Sequence, residues 1–202
     1  MGSLGDSSSG GGMLKAIVRI WIVMVVVEVS VNPGEASAVV DIESMEKSLE
    51  VSRHERLTAR VSQPDATLSR FATDGCSGGL SIGWSYLAER IDLFAQVHSD
   101  EPPWRDCCVI HDFSYHQGGA PPATPDESFM ARRQADEELR DCVEQVGENR
   151  VFELSEAYGL NEDEVADLYR VIAGLMYRAV RVGGVPCSGL PWRWGYGWPE
   201  CK

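Results

Sequence analysis

Wherever the apolar positions of this chain follow a period, the period is that of a helix. Leu80, Trp84, Leu87, Ile91 and Phe94 recur at spacings of four, three, four and three, which is one helical face. His98 extends the same stripe, as a packed or capping histidine rather than a ligand. Residues 42 to 63 predict a polar helix that ends before Pro64, with His54 in solvent. Asp100 to Pro103, "DEPP", is a helix entry with proline in the first turn, and the helix that follows starts at Trp104. "GGAPPATP" from Gly118 breaks it. Residues 126 to 147 predict a third helix, interrupted by "GEN". Asn161 and Glu164 then open a capping-box-like start, with Val165, Leu168, Ile172, Leu175, Met176 and Val182 on one side and Gly183–Gly184 as the stop. The tail from Val185 has no period and three tryptophans. No strong strand signal and no internal repeat is present, so the expected class is all-α with a disulfide-tied tail.

The 202 residues suit one domain plus appendages, and 44% hydrophobic residues are enough for a core. The net charge of −13 argues against nucleic acid, because phosphate binding needs clustered Lys and Arg. An acidic chain still suits Ca²⁺, a hard cation that takes oxygen ligands. Residues 1–12 are low-complexity. Residues 13–38 read as a signal peptide: Lys15 and Arg19 precede an apolar run from Ile20 to Val27, and Ala36–Ala38 gives the small-residue cleavage pattern. The other reading is an uncleaved anchor. Glu28 interrupts the run well short of the ~20 apolar residues a span needs, which favours cleavage and a secreted protein. Residues 39–70 would be a helical extension and 71–202 the main domain.

Six cysteines, none before Cys76, read as a disulfide framework in a secreted chain. With no CxxC and no CxxCH, a zinc ribbon, a thioredoxin-type site and c-type haem attachment all lack support. Chemistry concentrates in "CCVIHDFSYH", Cys107 to His116. Cys107, His111 and Tyr115 lie at i, i+4 and i+8 and share a face with Trp104. Asp112 points about 100° away, so His111 and Asp112 face different neighbours. On the next helix Phe129, Asp136, Val143 and Val146 fall on one stripe, with Leu139 beside Asp136. A carboxylate on an apolar stripe needs a partner. A histidine on a facing helix would serve; so would Arg132, Arg133 or Arg140. Were the helices antiparallel and bridged by Cys107–Cys142, His111 and Asp136 would approach each other.

These residues carry a resemblance. "CCVIHDFSY" resembles the CCxxHDxxY active-site helix of secreted phospholipases A2, and "ADEELRDC", Ala135 to Cys142, is similar to the second helix of that family. "DGCSGG" looks like a reduced form of its glycine-rich calcium loop. The resemblance spans roughly Ala72 to Glu148. It implies a phospholipase A2-like fold of two antiparallel disulfide-linked helices carrying the site, with extra helices and a disulfide-closed Trp-rich tail. It also implies calcium-dependent hydrolysis of the sn-2 ester of glycerophospholipids at a membrane or micelle surface. His111 would be the general base, Asp136 its orienter and Tyr115 part of the same network. Ca²⁺ would sit on Asp112 and on backbone carbonyls near Gly75, Ser77 and Gly79. The implied bridges are Cys76–Cys108 and Cys107–Cys142, leaving Cys187–Cys201.

The chain departs from the conventional pattern. The stretch from Cys76 to His111 is far longer than in venom and pancreatic enzymes, Ser114 stands where cysteine is usual, and Ser77 where glycine is usual. Divergent secreted and microbial members tolerate such changes. A non-catalytic lipid- or protein-binding member of the same fold is the alternative, favoured by the divergent loop. A purely structural helical domain is a third reading, weakened by a His, two Asp and a Tyr at matching spacings. Trp192, Trp194 and Trp198 suit either a membrane interface or packing over the helices, with packing the preferred reading.

Overall fold

Capping boxes start two of the described helices, and left-handed glycines end two of them. The computed structural model describes residues 42–76, 84, 89, 96–98, 101–119 and 123–201; among them are four helices and no strand. We number these α1 (Ile42–Val61), α2 (Arg105–Gln117), α3 (Pro125–Tyr158) and α4 (Glu162–Gly183). α3 starts from a capping box in which Thr124 and Glu127 satisfy each other's backbone amides, with Pro125 in its first turn. α4 starts from the same device, built by Asn161 and Glu164. Gly118, at φ +65°, ends α2 in the left-handed conformation. The leader expected over residues 1–38 lies outside the described residues, as does most of the helix expected from Leu80 to Val97.

Two contact series fix the helix directions. From α2 to α3, Cys107 meets Cys142, His111 meets Asp136 and Tyr115 meets Arg132, so the two run antiparallel. From α3 to α4, Arg132 meets Arg181, Arg140 meets Tyr177 and Gly147 meets Tyr169, again antiparallel. α1 packs on α3. The bridges are Cys76–Cys108, Cys107–Cys142 and Cys187–Cys201, the three that the resemblance implies. The main core gathers Trp104, Leu139, Val143, Leu154, Val165, Tyr169 and Met176. His98 is buried at its edge: it meets Trp84 edge-on, stacks on Tyr158 and pairs with Arg150. No described helix is long and apolar enough to cross a membrane.

Three expectations need correction. "GEN" does not interrupt α3, which runs unbroken to Tyr158. Gly147 is there because the Tyr169 side chain passes 2.3 Å from where its Cβ would stand, a close approach that only glycine permits. His54 is not in solvent but fully buried against α3. The buried face of α4 is Val165, Tyr169, Ala173 and Met176, while Leu175 and Val182 are exposed. A tyrosine and an alanine, which read as neutral in a hydrophobic stripe, take the core positions instead.

The tail folds back on the C-terminal end of α2. A helix end leaves its last carbonyls without internal donors. Here Gly195 N–H donates to Tyr115 O at 2.7 Å, Gly197 N–H to His116 O at 3.1 Å and Trp198 Nε1 to Gln117 O at 2.8 Å. Gly118 N–H takes Ser114 O at 3.1 Å, completing the set. Trp194 is buried, Trp198 is half-buried and Trp192 is exposed. Packing is therefore the role of Trp194 and, in part, of Trp198.

Candidate active site

The helical period of α2 sends His111 and Tyr115 inward and leaves Asp112 on the adjoining face. His111 Nε2 lies 2.8 Å from Asp136 Oδ1, and Tyr115 Oη donates to the same oxygen at 2.7 Å. Asp136 is completely buried among donors, with Arg181 on its other oxygen, and accepts from both. The neutral His111 ring then carries its proton on Nε2 and keeps a lone pair on Nδ1. Nδ1 has no hydrogen bond among the described residues. The ring lies in a cleft of about 200 Å³ between α2 and α3. Ile110 and Ser114 line it from one side, Ala135, Glu138 and Leu139 from the other, with Cys107 and Cys142 completing the lining.

Behind Asp136 lies a charged network that no local sequence pattern marks. Arg181 Nη1 donates to Asp136 Oδ2 at 3.0 Å. Arg132 Nε donates to Tyr115 Oη at 3.1 Å, and its Nη2 caps the end of α4 through the carbonyls of Val180 and Arg181. Both guanidiniums meet Glu50 of α1: Arg132 Nη1 on Oε1, and Arg181 Nη2 on Oε2 at 3.2 Å. Two carboxylates and two guanidiniums are thus buried together. Of the arginines named as partners for Asp136, Arg132 is near, at 3.9 Å, while Arg133 and Arg140 pair with Glu137 and Asp141.

Proton affinities follow this arrangement. Burial raises Tyr115 well above the usual phenol range, and the Asp136 charge adds to it, so Tyr115 stays a neutral donor. Burial pushes the Glu50 carboxyl up, but hydrogen bonds and charges from His54, Arg132 and Arg181 outweigh it and hold it low. Burial lowers His54 despite its bond to Glu50, so this ring is kept neutral.

His54 belongs to a second row. Its Nδ1 lies 2.8 Å from Ser128 Oγ and its Nε2 3.0 Å from Glu50 Oε1. The order is that of a nucleophile, base and carboxylate. Ser128 is completely buried, however, and its oxygen also receives Trp194 Nε1 at 3.0 Å. No substrate reaches it, and the row is a structural tie between α1, α3 and the tail.

Asp112 faces the other way, towards the segment before Cys76. Thr73 Oγ1 donates to Asp112 Oδ2 at 2.5 Å, and Gly75 N–H donates to Thr73 Oγ1 at 2.9 Å. Gly75 sits at φ +72°, turning the chain into the Cys76–Cys108 bridge. Burial raises the Asp112 carboxyl; its bond to Thr73 lowers it, and the neighbouring Asp74 carboxylate raises it further. Ser77 and Gly79 lie outside the described residues. Among the described residues no three His, Cys, Asp or Glu side chains converge as a metal cluster.

His111, Tyr115 and Asp136 are thus one hydrogen-bonded group, and Asp112 and Gly75 form a separate arrangement on the next face of α2. The residues that sequence reasoning missed are Arg181 and Glu50. Arg181 follows the apolar stripe of α4 by one turn, and a cation placed there was the available signal. Comparison with known proteins finds no matching family model, no matching curated sequence and no matching solved structure.

Proposed function

We propose that the chain is a secreted, calcium-dependent hydrolase of the sn-2 ester of glycerophospholipids, of the phospholipase A2 type. The observation that carries this reading is the His111–Asp136–Tyr115 group beside a cleft, with Asp112 one residue on and turned to a different wall. His111 Nδ1 takes a proton from a water, and the resulting hydroxide attacks the ester carbonyl. Collapse of the tetrahedral intermediate expels the alkoxide, which recovers that proton as lysophospholipid, and the fatty acid leaves. Asp136 and Tyr115 hold the ring so that Nδ1 stays the accepting nitrogen. Ile110 and Phe113, both exposed on α2, offer apolar contact to a lipid surface.

The donor chemistry around Asp112 fits a hard cation. A carboxyl raised by burial and by a second carboxylate is relieved by a nearby positive charge. Asp112 would supply the carboxylate and Gly75, with Ser77 and Gly79, the backbone oxygens. Calcium, when bound, would polarise the ester carbonyl and hold the phosphate.

The test is fatty-acid release from mixed phospholipid vesicles, with and without EGTA, for wild type and His111→Gln. Release that is lost in EGTA and in the folded variant supports the reading. Equal release from folded His111→Gln overturns it.

A further inference from the structure

α1 lies outside the part of the chain that resembles a known active site, yet it reaches the arginines behind that site, chiefly through one buried side chain. Glu50 is buried, and its two oxygens take different guanidiniums. Arg181 holds Asp136 Oδ2, and Arg132 holds Tyr115 Oη. Each arginine therefore has Glu50 at one end and a member of the His111 group at the other. We propose that Glu50 is a positioning residue of the active site, fixing both arginines and through them the orientation of Asp136 and Tyr115 towards His111. The inference rests on reading His111 as the base.

The physical reason lies in the charge balance. With Glu50 ionised, two guanidiniums share two carboxylates. Without its charge, Asp136 would be the one buried carboxylate left beside both guanidiniums, with Glu46 meeting Arg181 from outside. Arg132 Nη2 already lies 3.9 Å from Asp136 Oδ2 and would close on it. That movement would draw Arg132 Nε from Tyr115 and rotate the carboxylate that His111 uses. Arg132 keeps the carbonyls of Val180 and Arg181 as acceptors but loses the carboxylate nearest to it, which strengthens its attraction to Asp136. The same geometry makes α1 part of the frame of the site. Removing this extension would strip both arginines of Glu50, and His54 would go with it.

Glu50→Gln keeps the shape and removes the charge. The readout is the NMR resonance of the His111 Nε2 proton, which reports its bond to Asp136 whether or not any substrate is turned over. The resonance should move in folded Glu50→Gln, and vesicle hydrolysis should fall on the order of tenfold in kcat with KM unchanged, as for other residues that orient a ligand or base. An unmoved resonance in the folded variant overturns the proposal. A moved resonance in a protein that shows no hydrolysis even as wild type supports the positioning role and sinks the hydrolase reading instead. If Glu50→Gln does not fold, Glu46→Gln carries the test, because Glu46 is more exposed and meets Arg181 from outside at 3.4 Å. It should move the same resonance from its wild-type position, because it weakens the hold on Arg181 that Glu46 shares with Glu50, and no movement overturns the proposal that this carboxylate end sets the position of Asp136.

Discussion

Arg181 Nη1 donates to Asp136 Oδ2 at 3.0 Å across 45 positions of sequence, so the carboxylate facing His111 is gripped from behind by the end of α4. Breaking a buried pair leaves an uncompensated charge, which costs about 3–5 kcal/mol. Arg181→Met should lose about that much stability in urea unfolding. The double variant Arg181→Met, Glu50→Met should lose less than the sum of the single changes, because it removes one charge of each sign from the same network. Strict additivity would mean that Arg181 and Glu50 act independently, contrary to their shared contact.

How much of this was legible beforehand depends on the range of the interaction. The spacing of Cys107, His111 and Tyr115 on a single helix is local, and so is the capping box at Asn161; both could be read directly. The turn at Gly118 was legible for the same reason. Gly147 was misread because glycine signals a break and a close helix approach equally well, and only Tyr169 on the next helix decides between them. His54 was misread because the surrounding helix is polar. It is buried against Ser128 and Phe129, and Ser128 is held in turn by Trp194, none of which a local pattern connects to it. The charged network joins four helices, and a pairing at that sequence distance leaves no periodic trace.

Asp112 should show its role through calcium rather than through folding. Its carboxyl is raised by burial and by Asp74, so without a cation the ionised form is disfavoured in the folded state at neutral pH. Asp112→Asn removes that cost. The metal-free variant should melt no lower than wild type, whereas calorimetry should show calcium affinity falling by about tenfold or more. Equal affinity in the two proteins would remove Asp112 from the calcium site.

Two glycines within helices should respond in opposite directions. A Cβ on Gly147 would stand 2.3 Å from the Tyr169 ring, so Gly147→Ala must push α3 from α4 and should cost about 1–3 kcal/mol. Gly174 of α4 has nothing within 4 Å of the corresponding position. Gly174→Ala should therefore stabilise by about 0.5–1 kcal/mol through helix propensity alone. Denaturant midpoints for the pair check both signs, and a stabilised Gly147→Ala would refute the close approach.

His98 should make the fold sensitive to mild acid. Burial, and then the Arg150 charge, hold it down to about 4 from the usual 6.5, while Glu153 opposes weakly. A group lowered in the folded state takes up its proton first in the unfolded chain. Its contribution to stability is therefore complete above about pH 6.5, falls as the pH is lowered and is gone near pH 4. His54, lowered by its own burial, acts in the same direction. Wild type should lose stability steadily over that window. His98→Gln, which cannot take up a proton, should lose less over the same range even if it starts from a lower value at neutral pH. Urea unfolding at pH 7, 6, 5 and 4 measures the two slopes, and parallel lines would show that His98 is not the titrating group. Of the slope left in His98→Gln, the part above about pH 5 is assigned to His54, whose burial disfavours its charged form, and the part nearer pH 4 is shared with Glu50, whose carboxyl is held low in the folded state.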